Sequence, residues 1–446
     1  MTLLVISPDY ASHLYPLVTL AKEWQNAGER VVVATGPATD DIVRQFGFER
    51  ANLQLGRGSN PGVIRAEDQP RGEDDALRGF FDATRRGAVE TLAFQAAARE
   101  NDLLWHPLGV AREVQRIVDR VRPDQVIVDH LAFSARLALR SAGVRHGDVV
   151  LGHPSALTVG DEVYGYPPVW PRALQPDPAD PAALADLRRL CERIRDNFTS
   201  HWNEALATLN PGAAASEDAF AETGDVLLLN YPGELHAPER TALLGPHAFL
   251  GSAVRTEEPD DEVDAWVNSG DAPIVYVSLG SFLSVRSDVL ARIAEALRGL
   301  DVRVALANGS TSRDALGPIP ASWLVREVLP QVTLLAHSVL VVSHGGNNSV
   351  TEALTAGVPL LLLPMSTDQF AGAAALEDAG FGEVLDPNAA TPGELRAAAV
   401  RLLSLGTDVN VRLAGLADDL TAHPGALRAR MALAGDTRVH DQGEAR

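Results

Sequence analysis

The stretch LLVISPDYASHLYPLVTLAKEWQNAGERVVVATG, residues 3–36, decides the fold class. LLVIS is a continuous apolar run, the signature of a strand buried on both faces. After a short loop, LYPLVTLAKEWQNAG carries apolar residues at helical spacing and closes on a glycine. RVVVATG reads as a second buried strand. Strand, helix and strand in so few residues imply a parallel sheet with a right-handed crossover.

The same alternation continues along the chain. Helical patterns cover about 76–121, RPDQVIVDH supplies another buried strand, and AFSARLALRSAG a helix ending in glycine. The Pro- and Gly-rich segment 151–182 cannot be regular structure for long, and loops of that length are commonly functional. DVLLLN, residues 225–230, reads as the last strand of the first half. Residues 231–262 shift to Pro, Gly and charge, the composition of an interdomain connection. Beyond it PIVYVSLGS, VRVALANG, SVLVVSHGG and VPLLLLP restart the strand and helix pattern. The reading is an α/β protein of two sheets: an N-terminal domain over 1–235, a linker over 236–262, a second domain over 263–425, and a helix with a polar tail over 426–446.

Bulk composition narrows the function. The 446 residues are 46% apolar and 22% charged, as in ordinary globular proteins. With 59 Asp plus Glu against 38 Lys plus Arg, the formal charge of -21 disfavours wholesale binding of nucleic acid or an anionic membrane surface. The single lysine, Lys22, against many arginines and alanines points to a high-GC bacterial genome. One cysteine, Cys191, forms no internal disulfide, which suits the cytoplasm, and its Arg-rich helical surroundings suit an idle thiol. The longest apolar runs fall far short of a membrane span, and MTLLVISPDY lacks the basic start and apolar core of a signal peptide.

The second half holds a candidate anion site. SHGGNNSVTEALTAG, residues 343–357, runs from a strand end through two glycines into a helix whose first turn contains Asn348 and Ser349. Free backbone N–H groups and the helix dipole favour negative charge there. A lone Gly-rich turn is more often a matter of sterics, but VYVSLGS ends likewise in Gly280 and Ser281, and in a parallel sheet all strand ends share the ligand-binding edge. Two such turns suit a diphosphate. His344 can donate to a phosphate oxygen or merely satisfy turn carbonyls. Glu352, one turn into the helix, and the Asp368–Gln369 pair after another strand are placed to bind sugar hydroxyls.

The first half offers a different pair. His13 lies just after the first strand, where a helix start would disfavour the imidazolium and keep the ring neutral. Asp129 ends VIVD at the same sheet edge, and a neutral histidine oriented by a carboxylate is a general-base dyad. His130, His153 and Asp161 compete for these roles.

At this point the chain resembles the glycosyltransferases of GT-B fold that use nucleotide diphosphate sugars, the family of plant secondary-product and bacterial antibiotic glycosyltransferases. LPQVTLLAHSVLVVSHGGNNSVTEALTAGVPLLLLPMSTDQ, residues 329–369, resembles its donor-binding signature, and SHLYPLVTLAKEWQNAGERVVVAT its N-terminal Gly-His-x-x-Pro segment. The resemblance implies two Rossmann-like domains facing across a cleft and inversion at the anomeric carbon. It makes His13 the base and Asp129 its partner. His344, Gly346, Asn348 and Ser349 would bind the diphosphate with Gly280 and Ser281, Glu352 the ribose, and Asp368 with Gln369 the sugar, with Gln331 and Val328 also in the donor site. A UDP- or TDP-sugar would be the co-substrate and a small apolar natural product the acceptor, with no metal or other cofactor. Ser12 replaces the family's usual glycine, and Val328 stands where many relatives stack a tryptophan on the base, which opens the site to thymidine as well as uridine. A nucleotide-sugar 2-epimerase of the same fold and a catalytically silent binding protein are the rival readings.

Overall fold

The computed structural model describes residues 1–175 and 181–435. Its first sheet is built from β1 (Thr2–Ile6), β2 (Arg30–Thr35), β3 (Glu49–Asn52), β4 (Gln125–Asp129), β5 (Gly147–Val150), β6 (Val226–Leu229) and β7 (His247–Phe249). Their order is β3-β2-β1-β4-β5-β6-β7, all parallel. The chain therefore starts in the middle, steps outward to β3, and returns to the other side of β1. The second sheet repeats the manoeuvre with β8 (Ile274–Ser278), β9 (Arg303–Ala307), β10 (Leu324–Arg326), β11 (Ser338–Ser343), β12 (Leu360–Leu362) and β13 (Gly382–Val384), ordered β10-β9-β8-β11-β12-β13. The reversals fall between β1 and β4 and between β8 and β11. In open parallel sheets such switch points leave a crevice beyond the strand ends, where ligands bind.

Why the strands read as unbroken apolar runs is visible in the packing. Leu3 and Val5 face one layer with Trp24 and Ala429, while Leu4 and Ile6 face the other with Val110, Val114 and Ile117. Successive residues alternate faces, so a sheet covered on both sides needs apolar residues at every position. The second sheet does the same, with Val275 and Val277 on one side and Tyr276 on the other. Helices read from 76 to 121 form three pieces, Glu73–Arg86, Ala88–Asp102 and Pro107–Val121, broken at Gly87 (φ 148°) and at the left-handed His106.

Two expectations about boundaries are corrected. The strand β7 lies inside 236–262, the stretch read as linker, and pairs with β6, so DVLLLN is not the last strand of its sheet. A three-residue strand flanked by glycines and prolines has too few positions to show a period. The helix Gly425–Leu433 crosses back to the first sheet: Ala429 joins its core, and Arg430 pairs with Glu29 at 2.9 Å. The polar tail over 436–446 lies outside the described residues, as do 176–180 of the 151–182 loop. Residues 151–175 hold only short turns, at Pro154–Ala156 and Arg172–Leu174, and Pro181 already opens the helix Pro181–Leu209. Among the described residues no helix is long and apolar enough to cross a membrane.

Several side chains tie the halves together. Arg286, 1% exposed, donates to the Thr84 carbonyl at 2.9 Å and to Asn388, whose amide also donates to that carbonyl at 3.0 Å. Arg65 pairs with Glu327 at 2.7 Å.

Candidate active site

A cavity of about 890 Å³ lies between the strand ends of the two sheets and takes its walls from both. That volume suits a ligand pair the size of a nucleotide sugar and a small acceptor.

On the first-sheet side, His13 stands in the first turn of the helix Ala11–Asn26 and Asp129 ends β4. The switch point brings them together: His13 Nδ1 lies 2.7 Å from Asp129 Oδ2, and Asp129 Oδ1 accepts from the Leu131 amide at 2.8 Å. Asp129 is buried and His13 a quarter exposed, so the carboxylate holds one ring nitrogen while the other is left toward the cavity. Burial works against the imidazolium, but the charge and hydrogen bond of Asp129, helped by Asp368, outweigh it and raise the His13 pKa. The expectation of a ring kept neutral by the helix start is corrected accordingly: an adjacent carboxylate is the stronger influence.

The competing residues separate cleanly. Asp161 is exposed and off the cavity wall. Burial, together with His236 and Arg240, pushes the His153 ring down to about 3, and its ring packs against Tyr231. His130 is buried beside Asp129 and held well below the usual histidine range by burial and by Arg136.

Across the cavity, β11 ends in Ser343 and the helix Asn347–Thr355 begins, with Gly346 at its cap and no side chain capping the first amides. Gly345 has φ 82° and Gly280 φ 70°, conformations that L side chains resist. The glycines also make room for His344. A Cβ at Gly280 would sit 2.7 Å from His344 Cε1, and one at Gly346 would overlap Nε2. The small residues thus seat the histidine as well as opening the turn to an anion. Burial lowers His344 to about 4, against a smaller opposing hydrogen bond to the Ser278 backbone. It is a neutral donor and carries no charge of its own at neutral pH.

Other predicted residues hold their places but are already engaged. Ser281 accepts from Asn60 Nδ2 at 3.2 Å. Asn348 donates to the Ser12 carbonyl at 2.8 Å. That carbonyl is available because Pro16, four residues on in the helix, has no N–H to offer it. Asp368 accepts from the His153 amide at 2.6 Å and from Thr367, whose backbone is left-handed at φ 51°. Gln369 is folded onto its own turn, accepting from the Met365 and Ser366 amides at 3.0 and 3.2 Å. Val328 is 59% exposed on the cavity wall, an open apolar surface.

Glu352 departs from its expected placement. It is buried and off the cavity wall: Oε1 accepts from Arg255 at 2.8 Å and Oε2 from Gln331, which in turn accepts from Ser349 at 3.2 Å. Burial raises its pKa, opposed by Arg255 and Gln331. Arg255 does line the cavity, over the Tyr15 ring and paired also with Glu257. Sequence reading passed over it, since a lone arginine in a charge-rich connection carries no pattern. Asn347 was likewise missed as a bridge, donating to the Leu151 and Asn230 carbonyls at 3.0 and 2.8 Å. Cys191 is buried, its thiol pushed up to about 11 by that burial, as an idle core residue.

Comparison with known proteins agrees with this architecture. The UDP-glucoronosyl and UDP-glucosyl transferase family model matches residues 188–408. Demethyllactenocin mycarosyltransferase of Streptomyces fradiae is 28% identical over 411 residues, spanning 90% of this chain and 78% of that protein. The glycotransferase of kitacinnamycin superposes with a TM-score of 0.66 at 22% identity, over 97% of this chain and 99% of its own. The glycosyltransferase VinC in complex with DTDP superposes with a TM-score of 0.65 at 21% identity, over 98% and 99%. With two parallel sheets joined at a cleft and relatives named as sugar transferases across most of its length, the chain is a glycosyltransferase of GT-B fold, similar to the nucleotide-sugar-dependent enzymes of natural-product type.

Proposed function

We propose that the protein is an inverting glycosyltransferase that moves a sugar from a UDP- or TDP-sugar to a hydroxyl of a small, apolar natural product in the cytoplasm. The observation that carries this reading is the His13–Asp129 pair at 2.7 Å, on a cavity wall facing the Gly345–Ser349 turn. His13 takes the proton of the acceptor hydroxyl as that oxygen attacks C1 of the sugar. The bond from C1 to the diphosphate oxygen breaks, and the nucleoside diphosphate leaves with the electron pair. Base and leaving group come from opposite sheets, which favours attack on the face away from the diphosphate and hence inversion. Asp129 keeps the proton-bearing nitrogen turned toward itself and stabilises the imidazolium that forms.

The leaving diphosphate would meet the uncapped amides of the helix Asn347–Thr355, the hydroxyls of Ser281 and Ser349, and the neutral N–H of His344. We infer that these donors replace a metal. Asp368 and Gln369 would turn to the sugar hydroxyls, giving up their present bonds. Arg255 and Gln331 would release Glu352 to the ribose in the same way. Val328 in place of a stacking aromatic, and the thymidine diphosphate held by VinC, support a TDP-sugar alongside UDP-sugars.

The test is transfer itself. Incubation with UDP- and TDP-sugars and a panel of aromatic aglycones should yield glycosides by mass spectrometry, with no new nucleotide product from donor alone. His13→Ala should lower transfer by about 10²–10⁴-fold while donor affinity by calorimetry stays within about twofold. Ordinary turnover in that variant would sink the assignment of the base.

A further inference from the structure

His130 has no task in the reaction so far. It follows Asp129 directly, lies on the cavity wall and is only 2% exposed. Among the described residues neither Nδ1 nor Nε2 has a hydrogen-bond partner, and both are buried. A neutral imidazole brings one N–H and one lone pair, and a core histidine ordinarily satisfies at least one of them. The groups around it cannot help. Arg136 donates to the His130 carbonyl at 3.0 Å and to Asp148 at 3.0 Å, and the Phe133 ring beside it is apolar. The side chain of Asp129 is taken by His13 and the Leu131 amide.

Gln95, whose Oε1 is likewise buried and without a partner among the described residues, lines the same cavity on a wall shared with Phe80 and Phe94. Flat aromatic surfaces pack flat ring systems. His130 follows the base's partner and lines the same cavity as His13.

We propose that His130 is a positioning residue for the acceptor, its imidazole hydrogen-bonding a hydroxyl or carbonyl that neighbours the reacting hydroxyl on a flat, apolar ring system. This deepens the transferase reading above and rests on it. The acceptor class it selects is a polycyclic aromatic with adjacent oxygen substituents, in preference to one bearing an isolated hydroxyl.

Two probes isolate the effect. 1,2-Dihydroxyanthraquinone and 2-hydroxyanthraquinone share a ring system and differ in the hydroxyl beside the one at position 2. Their dissociation constants are read from quenching of tryptophan fluorescence, and their kcat/KM from glycoside formation with UDP- and TDP-glucose. The wild-type protein should bind the dihydroxy compound about 10-fold more tightly, the order expected of one buried neutral hydrogen bond. His130→Phe should bring the two affinities within about twofold while holding the 2-hydroxy compound near its wild-type value, and His130→Asn should restore part of the preference. A preference that survives His130→Phe, or a wild-type protein with none, overturns the assignment. If His130→Phe fails to fold by circular dichroism, wild type against His130→Asn decides, with equal preference in the two overturning it. Binding is read without turnover, so selective binding through His130 in a protein that transfers no sugar would overturn the transferase reading and with it the acceptor role, whereas transfer without selectivity would overturn the role of His130 alone.

Discussion

The two switch points of this molecule are built alike and furnished differently. Beyond β1 and β4 stands a titratable pair of side chains, His13 and Asp129, whose contact raises the histidine's pKa. Beyond β8 and β11 stand glycines, a histidine lowered to about 4 by burial, and a run of uncapped amides. The contrast matches what each edge would do in the proposed transfer. Moving a proton needs a titratable group with a fixed partner, whereas holding a diphosphate needs many donors that never change charge. The same residue type, histidine, serves both edges because its surroundings decide its protonation.

Three substitutions break or sharpen that contrast beyond the loss expected at His13. Asp129→Asn strikes the charged edge and should have the largest effect of the three, lowering kcat by about 10- to 100-fold, within the range of general-base contributions. The direction of its pH effect is set by the observed shift. His13 must be unprotonated to act, and Asp129 raises its pKa, so wild-type kcat/KM should climb as pH rises through a value above 6.5. Removing the carboxylate should move that rising limb to lower pH, even as the plateau drops; a limb that stays put would show that Asp129 does not govern the base.

Gly280→Ala tests the neutral edge. The new Cβ meets the His344 ring at 2.7 Å on a backbone at φ 70°. Donor KM should rise about 10-fold, in keeping with a strained backbone and a displaced ring of order 1–3 kcal/mol, while acceptor KM stays within twofold. Equal loss for both substrates would mean the cleft as a whole had shifted. Pro16→Ala is the mildest test, because it links the two edges instead of damaging either. It returns an N–H that competes with Asn348 for the Ser12 carbonyl, a contact now 2.8 Å long. Donor KM should rise about two- to threefold, the scale of one part-buried hydrogen bond weakened and not lost. An unchanged value would make Pro16 a matter of helix geometry alone.

How much of this was legible in the chain depends on distance along it. The β1–helix–β2 unit was readable because its strands are long apolar runs and its helix long enough to show a period. β3, β5, β7, β10 and β13 were not, since a strand of three or four residues that lacks the unbroken apolar run of β6 or β12 is defined by its neighbours in the sheet. His13 and Asp129, 116 residues apart, could be matched because one opens the helix after β1 and the other closes β4, at the same sheet edge. Arg255 and Glu352, 97 residues apart, could not. One of them lies in an irregular connection, where no strand end says which way a side chain points. Glu352 was placed on the right helix turn, but its orientation is settled by Arg255 and Gln331, which no local rule predicts.

The return of the helix Gly425–Leu433 to the first sheet gives the molecule a mechanical property. The chain passes from the first half to the second after Phe249 and comes back at Gly425, and the two crossings touch: the Gly425 amide donates to the Ser252 carbonyl at 3.2 Å. No side chain fits between them, because a Cβ on Gly425 would lie 2.5 Å from that same oxygen. The covalent links between the halves are therefore gathered at one edge like the spine of a book. The noncovalent ties from Asn348 to Ser12 and from Arg65 to Glu327 stand away from that spine as its clasps.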